Sequence, residues 1–221
     1  MPIIEPFVRW AGGKSWFIPH LTQLINGIDI NHFHEPFLGG AAVFLALEHK
    51  KKSYLSDVNE DLINAYIQIR DNAQQVMTVL LSYSNTKEDY YRIRSLNLDD
   101  PIEQAAKFIY LNQTSYNGLY RVNRSGKYNV PYGFRRNWHY EESRVLQVSE
   151  KLQKANLRCG DFEINKYKIK RHDIVFLDPP YTVSHNDNGF IEYNKNLFSL
   201  DDQERLYLSL IHISEPTRLQ L

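Results

Sequence analysis

The stretch NHFHEPFLGGAAVFLALEHK, residues 31–50, decides the fold class. It begins with a short apolar strand, turns at Gly39 and Gly40, and continues with apolar residues at helical spacing, Val43, Phe44 and Leu47. A glycine pair that follows a strand and opens a helix lets the backbone approach a ligand closely. Many turns contain two glycines, so this pair predicts a binding loop only together with its neighbours along the chain.

Two further segments favour an α/β fold with a parallel sheet. Residues 51–72, KKSYLSDVNEDLINAYIQIRDN, indicate a strand that ends near Asp57 and a helix after it. Asp57 follows Gly39 at nearly the ~20-residue spacing at which an acid binds a pair of ribose hydroxyls. An N-cap of the following helix is an equally good interpretation of Asp57. Residues 174–177 form an apolar run that ends at two prolines, as in a strand buried on both faces of a parallel sheet.

Helical patterns separate the second strand from the later ones. Apolar spacing predicts helices near residues 62–69, 73–83, 87–95, 101–113 and 141–155. Within residues 114–139, the segment RSGK reads as a hairpin turn between LYRVN and YNVPYG. We therefore predict a Rossmann-like catalytic domain formed by residues 1–60 and 156–221. Residues 61–155 form an inserted helical recognition domain that carries a basic hairpin, residues 114–138.

Charge is distributed unevenly although the formal net charge is zero. No Asp or Glu occurs from Gln104 to Tyr140, and this window holds six basic residues, Lys107, Arg121, Arg124, Lys127, Arg135 and Arg136. A local basic field attracts a polyanion even when the whole chain is neutral. The window therefore predicts a nucleic-acid contact in preference to an ordinary solvated surface.

The remaining composition excludes several classes of protein. No apolar run approaches the ~20 residues of a membrane span, so we expect no membrane association. The single cysteine, Cys159, suits a reducing cytoplasm and reads as a small buried side chain. The histidines show no metal-ligand spacing, and we expect no metal site.

The segment VRWAGGKSW, residues 8–16, resembles the end of a phosphate-binding loop but fails that pattern. The pattern requires a glycine where this chain has Val8, and an apolar strand before the loop. Upstream lies only MPIIEPF, in which Pro2 and Pro6 disfavour a central strand. Lys14 therefore needs a ligand other than a nucleotide phosphate.

The tetrapeptide DPPY, residues 178–181, is suited to chemistry on an amino group of a base. Two prolines after a buried strand leave carbonyl groups without a local partner. The carboxylate of Asp178 and the carbonyl of Pro179 can then both accept hydrogen bonds from one exocyclic amino group, while Tyr181 offers a face for stacking. Taken alone, a strand terminator with a capping acid would explain the same four residues.

Five motifs together carry a family resemblance. RWAGGK, EPFLGGAAVF, SDVNEDLINAY, YNGLYRVN…GKYNVPYG and DPPY occur in this order, and with them the chain resembles the Dam-type (D12 class) DNA adenine N6-methyltransferases. The resemblance implies methyl transfer from S-adenosylmethionine, without a metal, to an adenine flipped out of double-stranded DNA, commonly within GATC. It implies Asp178, Pro179 and Tyr181 as catalytic residues. The implied cofactor residues are Trp10, Lys14, Phe37, Gly39, Asp57, Asp161, Phe162 and Asp178.

The resemblance also implies which residues contact DNA. The implied DNA-binding residues are Arg9, Tyr116, Asn117, Leu119, Arg121, Asn123, Arg124, Lys127, Pro131, Arg135 and Arg136. Tyr116 matches an aromatic residue that fills the gap left by the flipped base, so we expect it to be exposed. For Tyr110 and Tyr128 we expect hydrophobic packing. Arg124, Lys127 and Arg136 are better suited to neutralise phosphates than to read bases.

Two departures from the family pattern leave alternatives open. Ala41 stands where the glycine loop of the family often has a further glycine. The family also has about three more strands after Asp178, whereas this chain ends in HISEPTRLQL, so we expect an incomplete sheet. A DNA-binding fragment without catalysis is therefore one alternative, and a methyltransferase for cytosine N4 or RNA adenine is another. We expect a cytoplasmic monomer in each case.

Overall fold

The computed structural model describes residues 4–48, 51–123, 125–135, 141–180 and 198–214. The helices are α1 (Ile18–Leu24), α2 (Ala42–Ala46), α3 (Glu60–Leu81), α4 (Lys87–Ser95), α5 (Pro101–Thr114), α6 (Glu142–Leu152) and α7 (Leu200–Ser214). The strands are β1 (Phe33–Glu35), β2 (Ser53–Asp57), β3 (Ala155–Cys159) and β4 (Ile174–Val175). Short 3-10 helices cover Tyr116–Gly118 and Phe162–Lys168.

The four strands form one parallel sheet in the order β3-β2-β1-β4. This is the order with which a Rossmann-like sheet begins, and the predicted α/β fold is confirmed. The hydrogen-bonded pairing continues one residue past β4, because the Phe176 N–H donates to the His34 carbonyl at 2.8 Å. Asp178 therefore follows directly on the sheet, beside the end of β1.

The helical region packs on one face of this sheet. Helix α3 lies against α5 and α6, and its buried side chains share one core with Phe33 and Leu55 of the sheet. Tyr110 is fully buried in this core and Tyr128 packs at its margin, as predicted. The hairpin is confirmed as an antiparallel pairing of Val122 with Tyr128.

The structure corrects two predicted helix boundaries. The separate helices expected at residues 62–69 and 73–83 are one helix, α3, interrupted by non-helical backbone angles at Asn72. The helix expected to reach residue 155 ends at Leu152, because Ala155 begins a strand that pairs with β2. Periodicity along the chain could not detect that pairing, since β2 lies about a hundred residues earlier in the sequence.

The structure rules out one of the two interpretations of Asp57, and two expectations about burial were wrong. The N-cap of α3 is Asn59, whose side chain accepts from the Leu62 N–H, and not Asp57. Residues 174–177 are half-buried where we expected burial on both faces, because β4 has one neighbouring strand, β1, in the part of the chain that the structure describes. Cys159 is exposed, since it ends β3, which pairs only with β2 among the described strands.

Candidate active site

Acidic side chains gather at the carboxyl edge of the sheet. Glu35 ends β1, Asp57 ends β2, and Asp178 follows β4. Strands β1 and β4 are neighbours in the sheet, and the strand order reverses between them. Open α/β sheets bind ligands at such a switch point. The sequence predicted Asp57 and Asp178 at this edge, and the sheet order brings their strand ends together.

Glu35 is a candidate site residue that the sequence analysis missed. Its side chain is buried, and one carboxylate oxygen accepts from the Phe44 N–H at 3.2 Å, in the first turn of α2. Burial raises the pKa of Glu35 well above its usual value, and the charges of Asp178 and Asp57 raise it further. Its position at a strand end, immediately before the glycine turn, was the signal that could have identified it.

Asp57 organises the glycine turn. One of its carboxylate oxygens accepts from the Gly39 N–H at 2.9 Å, and the other accepts from the Asn59 N–H at 3.0 Å. Burial raises the pKa of Asp57, while these backbone donors oppose the rise. The carboxylate therefore lies at the turn between β1 and α2, where a cofactor hydroxyl would have to approach.

Gly39 and Trp10 are in close contact. Gly39 has a φ of 46°, and a Cβ atom built there would lie 2.8 Å from Cδ1 of Trp10. The hydroxyl of Tyr66 donates to the Gly39 carbonyl at 3.1 Å, which holds the turn from the opposite side. Trp10 also stacks on Tyr120, with 5.7 Å between ring centroids. The N-terminal segment thus covers the glycine turn with an indole ring.

Lys14 joins that segment to the DPPY motif. Its ammonium lies 2.5 Å from the Asp178 carboxylate and also donates to the Gly12 carbonyl at 2.8 Å. Both charged side chains are only partly exposed. The contact places Lys14 beside the predicted catalytic acid, which agrees with the rejection of the phosphate-loop interpretation.

Aromatic side chains line the neighbouring end of β3. Phe162 is buried and stacks on Phe37, with 5.6 Å between ring centroids. The guanidinium of Arg205 in α7 lies 4.9 Å from the centre of the Phe162 ring and bonds the Asp161 carboxylate at 2.8 Å. Phe37 and Phe162 therefore contact each other, and Arg205 binds the Asp161 carboxylate; their roles in cofactor binding stay predictions.

The predicted DNA-contacting residues surround the turn after α5. Tyr116 and Asn117 are exposed, and Asn117 has a φ of 54° in the left-handed region. The stem of Arg9 lies against Gly118, where a Cβ atom would approach the Arg9 Cβ to 2.7 Å. The exposure expected for Tyr116 is confirmed. The fold brings Arg9 to this turn from about a hundred residues earlier in the sequence.

The predicted residues of the hairpin differ in their hydrogen bonds and in their exposure. The Arg121 guanidinium donates to the Asn129 side chain at 2.7 Å, and the Asn123 side chain accepts from the Lys127 N–H at 2.9 Å within the turn. Asn123 therefore shapes the hairpin in this structure. Leu119 is half-buried, and three further predicted residues are exposed, namely Lys127, Pro131 and Arg135.

Three predicted residues lie outside the part of the chain that the structure describes, namely Tyr181, Arg124 and Arg136. Among the described side chains, no three His, Cys, Asp or Glu residues converge as metal ligands would. No helix in the described ranges combines the length and apolar character needed to cross a membrane.

Comparisons with known proteins agree with this geometry. A family model described as "D12 class N6 adenine-specific DNA methyltransferase" matches residues 10–217. The Type II methyltransferase M.MjaIII of Methanocaldococcus jannaschii is 36% identical over 92% of this chain and 78% of its own length. The Type II methyltransferase M1.LlaDCHI of Lactococcus lactis subsp. cremoris is 36% identical over 92% of this chain and 75% of its own length. A DNA adenine methylase of Salmonella typhi is 31% identical over 90% and 73% respectively.

Proposed function

The chain belongs to the D12 class of N6 adenine-specific DNA methyltransferases, and from that premise we propose its reaction in more detail. We propose that it takes the methyl group from S-adenosylmethionine and acts as a monomer on double-stranded DNA. The acceptor is N6 of an adenine that is flipped out of the duplex, within the sequence GATC. A duplex has to release its base in this way because the amino group is otherwise held in the base pair.

The side chains at the carboxyl edge of the sheet fit this cofactor. The acidic groups of Glu35 and Asp57 would bind ammonium and hydroxyl groups, and the Lys14 ammonium would bind a carboxylate. The half-buried ring of Phe37, with Phe162 stacked on it, would offer a surface to a flat base. When bound, S-adenosylmethionine supplies a methyl group on a positively charged sulfur. Acidic side chains at this edge of the sheet would favour a bound cation electrostatically.

Asp178 carries the chemistry in the proposed mechanism. The adenine amino group is a poor nucleophile because its lone pair is delocalised into the ring. The Asp178 carboxylate and the Pro179 carbonyl each accept a hydrogen bond from this group, which localises the lone pair on nitrogen and directs it at the methyl carbon. The bond from N6 to the methyl carbon would form as the carbon–sulfur bond breaks, and the bonding pair would stay on sulfur. The carboxylate would stabilise the positive charge that the nitrogen gains, and the proton then leaves to solvent. Positioning and preorganised charge thus account for the rate.

Lys14 pairs with the acid that the adenine amino group would use in this reaction. Its ammonium occupies the Asp178 carboxylate in this structure, at 2.5 Å. A carboxylate has two oxygens and about four acceptor positions, so Asp178 can accept from the adenine amino group beside Lys14 or in its place.

The observation that carries this proposal is the meeting of Lys14, Asp178 and the glycine turn at the switch point of the sheet. Its test is transfer of tritiated methyl from S-adenosylmethionine to a plasmid, followed by mapping of the modified bases. We expect Asp178→Asn to lower the rate by about 10²- to 10³-fold, the loss typical of a preorganised electrostatic group. Asp99→Asn, which changes an exposed acid between α4 and α5, is the matched control.

Binding is measured separately from transfer. S-adenosylhomocysteine should raise the unfolding temperature of the wild type and of Asp178→Asn, and ATP should raise neither. Undiminished transfer by Asp178→Asn would refute the role of Asp178. Methylated cytosine, transfer to RNA alone, or mapped sites other than GATC would each correct the acceptor, and duplex binding without any transfer would identify a DNA-binding protein.

A further inference from the structure

Asn112 connects two DNA-contacting segments that are remote in sequence. It lies near the end of α5 and is fully buried. Its side-chain oxygen accepts from the Arg9 N–H at 2.7 Å, and its side-chain nitrogen donates to the Arg9 carbonyl at 2.7 Å. The amide thus pairs with the Arg9 backbone as a neighbouring strand would.

The same amide also binds the turn after α5. Its nitrogen donates a second hydrogen bond, to the Gly118 carbonyl at 3.2 Å. Because the Arg9 and Gly118 carbonyls both need a donor, only one orientation of the amide satisfies the three contacts. Asn112 therefore holds the Arg9 backbone and the Tyr116–Gly118 turn at once.

Contacts of the Arg9 side chain show why this connection is needed. Its stem packs on Gly118, which has a φ of 66° and no space for a Cβ atom. Burial, and then the positive charge of Arg135, lowers the pKa of the Arg9 guanidinium. The two guanidinium groups repel each other, and the hydrogen bonds between Asn112 and the Arg9 backbone oppose that repulsion.

Gln113, the next residue in α5, extends this attachment. Its side-chain nitrogen donates to the Phe7 carbonyl at 2.7 Å. Phe7 and Val8 are buried in the core, so the segment is anchored before it reaches Arg9 even without Asn112. Loss of Asn112 alone should therefore release Arg9 locally and leave the segment attached.

We propose that Asn112 is a positioning residue for sequence specificity: it holds Arg9 and the Tyr116–Gly118 turn in one fixed arrangement, so that both contact the same DNA site in register. The proposal rests on the function proposed above. Asn112 itself does not touch DNA. An amide is required because the site needs one acceptor and two donors, which neither Asp nor Ser supplies.

The test measures discrimination between DNA sites in the full chain. For the wild type, Asn112→Asp and Asn112→Ala, kcat/KM is determined on a duplex with the mapped site and on a duplex with one base pair of that site changed. We expect the ratio of the two values to fall about tenfold in both variants, because the contact that distinguishes the two base pairs is no longer held. The Kd for S-adenosylhomocysteine should change less than twofold.

A core variant separates positioning from folding. Val148→Ala removes buried methyl groups from α6, away from this turn, and lowers the fraction of folded enzyme. A smaller folded fraction lowers both kcat/KM values equally, so the ratio should stay at its wild-type value in Val148→Ala. A similar fall of the ratio in Val148→Ala and in the Asn112 variants would contradict the proposal.

A double variant tests whether Asn112 acts through Arg9. If it acts partly through Arg9, the double variant Arg9→Ala with Asn112→Ala should lose less discrimination than the sum of the two single losses. Additive losses, or an unchanged ratio in Asn112→Ala, would overturn the proposal. Both results are distinct from failure of the proposed function, in which the wild type itself transfers no methyl group to DNA.

Discussion

Replacement of Gly39 by alanine tests the contact that closes the glycine turn. The native φ of 46° lies in the left-handed region, which disfavours a side chain by about 1–2 kcal/mol. The new Cβ would also lie 2.8 Å from Cδ1 and 3.0 Å from Nε1 of Trp10, well inside the usual contact distance. Displacing a packed ring of this size costs about 1–3 kcal/mol.

Together these terms lower the free energy of unfolding by about 2–5 kcal/mol, which corresponds to roughly 5–20 °C in Tm for a chain of this length. Differential scanning calorimetry measures the change. The same displacement moves Trp10 off the turn, so we also expect weaker binding of S-adenosylhomocysteine, measured by isothermal titration calorimetry.

Gly27→Ala is the matched control for Gly39→Ala. Gly27 has a φ of 78°, but no atom lies within 4 Å of a Cβ built there. The control therefore contains the backbone strain without the collision and should lose only about 1–2 kcal/mol. Equal losses of stability in the two variants would refute the argument that Trp10 packs tightly on the turn.

Two further predictions concern the pH dependence of stability. Burial raises the pKa of Glu35 in the folded state, so the protein loses stability as the pH rises above the ordinary pKa of a glutamic acid. Glu35→Gln should remove that loss. If the difference in unfolding temperature between the variant and the wild type does not grow with pH, this prediction is wrong. The opposite sign applies to Glu163, where hydrogen bonds from Lys166, Ser209 and Arg205 lower the pKa to about 2. Its contribution to the free energy of unfolding is therefore present above the ordinary pKa of 4.5 and is lost as the pH falls towards 2. Glu163→Gln should therefore destabilise the protein at pH 7 and not at pH 2, in urea titrations at the two pH values.

Elements that depend on local pattern were predictable from the sequence. The bounds of α4, Lys87–Ser95, were predicted correctly, because its cap, Thr86, and its apolar residues all lie within ten positions. The strand that ends at Asp57 and the hairpin around Gly126 were predictable for the same reason. Cys159 shows the limit, since its exposure depends on which strand lies beside β3.

The sequence by itself determined the parts of the site: a strand, a glycine turn, an acid after each of two strands, and a basic segment without acids. Only the tertiary structure decided how these parts meet. Burial of Glu35 between Asp57 and Asp178, and the hold of Asn112 on Arg9, join residues that are far apart along the chain. Such contacts leave no periodic signal, because they depend on strand order and on helix packing, which the hydrophobic core determines as a whole.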